Sequence, residues 1–288
     1  MPASHLIRTA RPSLHEPVLV AAFEGWNDAG EAATFAARFL SERWDAEPFA
    51  TIDPEEFFDF TTTRPHVQLD DEGLREIVWP TTTLSSASIP GADLDVIFVV
   101  GSEPQLKWRT FCEQIVEVGR EYEARLVVTM GALLADIPHT RPVSVVGTAY
   151  DRAMVQRLGL TQSAYQGPTG IVGVLHDSFR QAGVASASLW AAVPSYVPNA
   201  PSPKAALALV ERITEMLAVP IVTTDLEIAS ASYERQIDEL VADDDDTAAY
   251  VARLEDAADS APDDEDDEEP HGDLIAEVER FLREHPGS

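Results

Sequence analysis

The chain has 288 residues, is 45% hydrophobic, and carries 50 acidic against 20 basic side chains, a net charge of −30. That length and apolar content support one sizeable core, while a surface so acidic repels nucleic acid and anionic lipid, whose phosphates need clustered Lys and Arg. No run approaches the roughly 18 unbroken apolar residues of a membrane span, the N-terminal stretch lacks the apolar stretch of a signal peptide, and the lone Cys112 excludes an intrachain disulfide; a cytoplasmic protein is expected.

In chain order, residues 17–23 (PVLVAAF) read as a buried strand, and 28–43 as a helix with Asp28 as its cap, Glu31 at the capping-box position, and Ala32, Phe35, Ala36 and Phe39 on one face. Residues 49–80 break the rhythm and are expected to be irregular structure and a hairpin at a sheet edge. A second strand is predicted at 94–100 (LDVIFVV), a helix at 107–122, and a third strand at 125–130 (RLVVTM). Then come a helix at 171–181, a strand at 185–193 and a helix at 203–216. Cys112 falls in the 107–122 helix and reads as a small buried residue, not a nucleophile. Strand then helix, repeated, implies crossover units and a mostly parallel sheet covered on both faces.

Near Ser230 the material changes. Residues 231–288 hold 21 acidic and 4 basic side chains, a net of −17. We therefore divide the chain into an α/β domain, 1–230, and an acidic extension, 231–288. Within the extension, 231–241 and 248–258 are expected to be helical. The seven consecutive acids at 263–269 should stay extended by self-repulsion. Residues 272–284 place Leu274, Ile275, Val278, Phe281 and Leu282 on one helical face, a segment suited to docking on its own body or on a partner.

The loops after the strands of an open parallel sheet share one rim, where binding usually occurs. Here they are the distinctive parts of the sequence: EGWNDAG, GSEPQLKW, GALLADIPHTRP and PSYVPNAPSP. Trp26, Trp108 and Tyr196 have the amphipathic character of interface anchors. Gly167, Gly170 and Gly173 recur at spacing three before a helix. A Walker loop would need Gly-Lys-Ser/Thr, and a dinucleotide fingerprint a closer first pair of glycines. Amides at the helix start could hold an anion, but the apolar Ile171, Val172, Val174 and Leu175 favour tight packing.

No convincing catalytic set or metal spacing emerges. His176, Asp177 and Ser178 are adjacent on a helix and point apart. His139 with Asp136 and Arg141 forms the best polar group, Asp136 as an orienter and Arg141 as an anion holder, although a loop brace is the simpler role. Glu24 and Asp28 are a candidate carboxylate pair, but the cap is the simpler role for Asp28. The candidate partner- or ligand-binding rim is Glu24, Trp26, Asn27, Asp28, Glu103, Lys107, Trp108, His139, Arg141, Thr169, Gly170 and Tyr196; no catalytic residue, metal or cofactor is assigned.

Together FEGWNDAGEAA, GADLDVIFVVGSEPQLKW, GALLADIPHTRPV, YQGPTGIVGVL and PSYV, with VERFL at 278–282, resemble the PAC2 family, named for proteasome assembly chaperone 2, in its actinobacterial branch. The resemblance spans roughly residues 17–222. It implies an α/β/α sandwich of phosphorylase/hydrolase-like fold, and self-association or partner binding, with proteasome subunits among the candidate partners. Relatives that act on proteasomes can end in a hydrophobic-Tyr-x tail; this sequence ends in His-Pro-Gly-Ser, which speaks against engagement by that route. Two functions stay open: a non-enzymatic assembly-type interaction protein that forms a homo-oligomer, and a nucleoside- or phosphate-directed binding protein or enzyme with its site at the same rim.

Overall fold

The computed structural model describes residues 5–70, 72–161 and 166–260; the acidic run at 263–269 and the amphipathic segment at 272–284 lie outside them. Ten strands alternate with helices: β1 (Leu6–Arg8), β2 (Val18–Glu24), α1 (Ala32–Arg43), β3 (Glu47–Ile52), β4 (His66–Leu69), β5 (Arg75–Val78), β6 (Thr82–Ser88), β7 (Asp95–Ser102), α2 (Trp108–Glu121), β8 (Leu126–Ala135), β9 (Val145–Ala149), α3 (Arg152–Leu158), α4 (Ile171–Gln181), β10 (Ser186–Pro194), α5 (Pro203–Leu217), α6 (Thr224–Ala242) and α7 (Asp245–Ser260). Eight form one sheet in the order β1-β3-β6-β7-β2-β8-β10-β9, and β4 pairs with β5 apart from it.

The four central strands, β7, β2, β8 and β10, are parallel, and antiparallel strands extend both wings. The centre is covered on both faces, which is why its strands read as near-continuous apolar runs. Alternate side chains of β2 split between two cores. Val18, Val20 and Ala22 face α1 and α5, while Leu19, Ala21 and Phe23 face α2 and α4. The result is the expected α/β/α sandwich. Cys112 is fully buried in α2, and burial pushes its thiol up to about 12.

Three local expectations change. β8 runs on to Ala135, so the GALLA expected in a loop is strand, paired with β10 as far as Pro194. β6 (TTLSSAS) and β9 (VVGTA) carry no long apolar run, yet are held in the sheet by pairing with β7 and β10. Asp28 caps α1, but from further back than a capping box: a 3-10 turn at Ala29–Glu31 intervenes, and the carboxylate accepts from the amides of Ala33 and Thr34 at 2.7 and 3.3 Å. Glu31 sits at the cap position with φ 53° and closes no box.

The composition change near Ser230 falls inside α6. That helix buries Leu226, Ser230, Tyr233 and Ile237 and packs against α5, and α7 packs against α6.

Candidate interaction rim at the strand ends

β2 and β7 are neighbours, and their last residues, Glu24 and Ser102, are register partners. The helices that follow them, α1 and α2, lie on opposite faces. That is a topological switch point, where the connections part and leave a crevice.

Glu103 fills the crevice. Its Oε1 accepts from the Ile171 amide at the start of α4 at 2.8 Å and from Asn27 Nδ2 at 2.9 Å, and the carboxylate also receives the Trp26 amide. Burial raises the Glu103 carboxyl above its ordinary value, and these three donors offset only part of that. The first amide of α4, a donor that a phosphate could have used, is thus met by a carboxylate of the chain itself. Gly170 makes this arrangement possible. A Cβ there would lie 2.0 Å from Asn27 Nδ2, and one at Gly173 would lie 2.1 Å from Thr169 Oγ1. Thr169 itself is exposed. The glycine spacing serves close approach of side chains to the α4 backbone.

Beside it, Glu24 pairs with Arg38 and accepts from the Ser102 hydroxyl at 2.7 Å. Burial pushes its carboxyl up, but those two partners outweigh burial and leave it below the usual range. Asp28 is 6% exposed, and burial raises its carboxyl to about 6 despite the Thr34 hydroxyl and two amides. A hollow of about 520 Å³ opens here, walled by Glu24, Arg38 and Ser102 on one side and by Arg64, His66 and Trp79 of the hairpin on the other. Lys107 stands at the start of α2 in a left-handed conformation, paired with Glu56, and Trp108 Nε1 donates to the Pro104 carbonyl at 2.5 Å. Leu106 beside them is 47% exposed.

His139, Arg141 and Tyr196 form a second group on the loops after β8 and β10. Tyr196 OH accepts from the His139 amide and meets His139 Nδ1, both at 2.7 Å. An Nε2–H that donates to the Asp238 carboxylate of α6, 3.0 Å away, would leave Nδ1 of the neutral ring to accept the phenol proton. Burial pushes the Tyr196 hydroxyl to about 12. Asp136 does not orient His139: it accepts from Ser195 and Tyr250 hydroxyls, both at 2.8 Å. Arg141 is taken up by Asp259 and Glu255 of α7. The partners from α6 and α7 were not foreseen, because nothing in the sequence pairs acids of the 231–258 region with the 136–141 loop. Arg38, Arg64 and His66 were also missed, lying in a helix and a hairpin with no motif to mark them.

His176, Asp177 and Ser178 part as expected. His176 Nε2 meets the Ser186 carbonyl, Asp177 binds Arg180, and Ser178 donates to the Val174 carbonyl. Among the described residues, no group of three His, Cys, Asp or Glu is placed to hold a metal ion, and no helix is long and apolar enough to cross a membrane.

The sequence model of the PAC2 family matches residues 22–241. The chain is similar to the crystal structure of a PAC2 family protein from Streptomyces avermitilis, with 45% identity over 82% of this chain and 99% of that one and a TM-score of 0.77. It is similar to a proteasome-assembly chaperone homologue from Mycobacterium tuberculosis, with 44% identity over 81% and 99% of the two chains and a TM-score of 0.74. A Mycobacterium tuberculosis protein of unknown function, 26% identical, covers 100% of this chain and 98% of its own at a TM-score of 0.84. No functionally curated protein matches significantly.

Proposed function

We propose that this chain, which belongs to the PAC2 family, is a non-enzymatic interaction protein of the assembly-chaperone kind, a homo-oligomer with proteasome subunits as its candidate partners. The observation that carries this reading is how the rim's ionisable side chains are used. Glu103 is bound to Asn27 and two amides, Glu24 to Arg38 and Ser102, and His139 to Tyr196 and Asp238. Such bonds brace loops. They stiffen an edge that carries Trp26, Leu106, Lys107 and Trp108, and a preformed edge binds a protein at low ordering cost. The Mycobacterium tuberculosis relative described as a proteasome-assembly chaperone homologue, at 44% identity, supports the choice of partner.

The test is reconstitution. Purified proteasome α and β subunits of the host are mixed with the full-length chain and followed by size-exclusion chromatography and by the time course of core-particle assembly. A stable complex or a faster assembly is expected, weakened by Leu106→Asp. Unchanged assembly with no co-elution refutes the proteasome reading.

A second reading is favoured by the hollow at the switch point. About 520 Å³ is a ligand-sized volume, and Arg38, Arg64 and His66 line it in a protein otherwise dominated by acid. Inorganic phosphate, nucleosides and nucleotides are the probes for a thermal-shift screen. A ligand at 100 times its dissociation constant adds about 2.7 kcal/mol; no shift across the panel removes this reading.

A further inference from the structure

α7 is held to the body by charge, not by burial. Of its 16 residues only Val251 is buried. Arg141 grips Asp259 with Nε and Nη2, each at 2.7 Å, and its Nη1 reaches Glu255 at 3.4 Å. The Thr140 hydroxyl donates to Glu255 at 2.5 Å, and the Tyr250 hydroxyl to Asp136 at 2.8 Å, with the Tyr250 ring edge-on to Tyr196 at 6.1 Å. Val251, Glu255 and Asp259 recur at i, i+4 and i+8, so one face of α7 carries the apolar anchor and both carboxylates. On the body, the complement is the 136–141 loop with Tyr196, set firmly by His139 and by Lys204, which donates to the His139 carbonyl at 2.5 Å.

The connection to this helix is short and charged. α6 ends at Ala242, α7 begins at Asp245, and Asp243 keeps right-handed helical angles, φ −81° and ψ −10°. Asp243, Asp244, Asp245 and Asp246 are consecutive, and none enters an ion pair among the described residues. Their mutual repulsion works against the compact turn that Asp244 closes by accepting from the Thr247 amide at 3.2 Å and from the Thr247 hydroxyl. The ion pairs beyond it are partly exposed, with Arg141 at 35% and Asp259 at 59%, and are of the kind that salt screens. A short hinge with helical angles and a weakly held final helix are the conditions for exchange between copies.

We propose that the 136–141 loop with Tyr196 is a docking site for an acidic helix, and that its occupant in an oligomer is α7 of a second copy of this chain, exchanged about the Asp243–Asp246 hinge. The exchange repeats contacts already made within one chain, so it needs no new interface chemistry. It also sets a cation against an acidic helix, a contact that brings two chains of net charge −30 together without setting acid against acid. The inference deepens the homo-oligomer part of the proposed function and does not depend on proteasome binding.

Two full-length variants test it by complementation. Arg141→Glu removes the receptor and leaves α7 intact; Glu255→Arg with Asp259→Arg does the reverse. Circular dichroism and thermal unfolding verify that each folds. Native mass spectrometry and light scattering are then read for each variant and for the mixture. The mixture should give a 1:1 heterodimer absent from either variant alone, at least about tenfold weaker when the salt is raised from roughly 0.05 to 0.5 M, where the screening length shrinks several-fold. A labelled peptide of residues 244–260 should bind the Glu255→Arg/Asp259→Arg variant and not the Arg141→Glu variant. A mixture that remains the sum of its parts while the peptide still binds overturns the second copy as occupant and leaves an acidic helix from another protein. A peptide that binds neither variant overturns the docking site. Reconstitution with wild-type chain and proteasome subunits is read separately, so either failure is distinguishable from failure of the proteasome reading.

Discussion

Asp28→Asn is expected to stabilise the protein at neutral pH and to do so in a pH-dependent way. Asp28 is 6% exposed, and burial lifts its carboxyl from 3.8 to about 6. The folded state therefore holds the proton more tightly than the unfolded chain does. The stability this confers is fully present below about pH 4 and is lost as the pH rises through about 6, a loss of about 3 kcal/mol at 1.36 kcal/mol per pH unit. Asparagine keeps the cap, since its Oδ1 can accept from Ala33 and Thr34. Its Nδ2 can donate to Thr34 Oγ1, whose own proton then turns to the Glu31 carbonyl, 3.4 Å away. Urea unfolding of both proteins, measured between about pH 4 and pH 7.5, isolates the effect, because the repulsion among the other carboxylates cancels in the difference. The variant should be near wild type at the acid end and ahead by about 3 kcal/mol at the neutral end. A difference that stays flat across the range would mean that the Asp28 carboxyl titrates normally, and that capping and not desolvation governs it.

Gly170→Ala should cost about 1–3 kcal/mol by overpacking, because its Cβ would fall 2.0 Å from Asn27 Nδ2; Asn27→Ala in the same chain should recover part of that loss, and strict additivity in a double-mutant cycle would disprove the contact. Glu103→Ala should leave the Ile171 amide without its partner and cost about 1–3 kcal/mol. Added phosphate should raise the melting temperature of that variant more than that of the wild type, whose Ile171 amide is already met by a carboxylate; equal shifts would show that the anion acts elsewhere. Tyr196→Phe removes the group that receives the His139 amide and meets Nδ1. It should speed hydrogen exchange in the 136–141 loop and in α6 around Asp238 while leaving α4 unchanged, and uniform exchange would sink the bracing role.

The central strands and the helices that cover them were legible because burial on both faces leaves a continuous apolar run, as in PVLVAAF and LDVIFVV, and one-sided burial leaves a helical stripe. β6 was not legible. TTLSSAS buries Leu84 and Ala87, but small hydroxyl residues also fit a packed sheet, and the pairing with β3 and β7 identifies the strand. The rim residues were legible one by one, through Gly, Pro and aromatic content, but their pairings were not. Asp136 and His139 are near in sequence and do not bond, whereas His139 and Asp238 are 99 positions apart and do. The unassigned acids share one cause. The sequence gives Asp238, Glu255 and Asp259 no role beyond their place in or beside expected helices, but a carboxylate on a helix can reach back to the few cations of the body. With 20 bases against 50 acids, each Arg or Lys can select among several such partners.

The same excess of acid explains the glycine loop. In a basic or neutral protein, a helix start with free amides and nearby glycines attracts phosphate. Here the neighbouring β7 loop supplies Glu103, which approaches the start of α4 because Gly170 gives Asn27 room to hold it there. Burial raises its carboxyl above the ordinary value, and the donors around it favour the charged form. Loosening any one of them favours protonation, which weakens its hold on the α4 amide and ties the order of the β2, β7 and α4 loops to a single group. A rim fixed in this way gives up a ready anion site and gains a rigid outline. A rigid outline lowers the ordering cost of binding, whether the occupant is a small molecule or the surface of another protein.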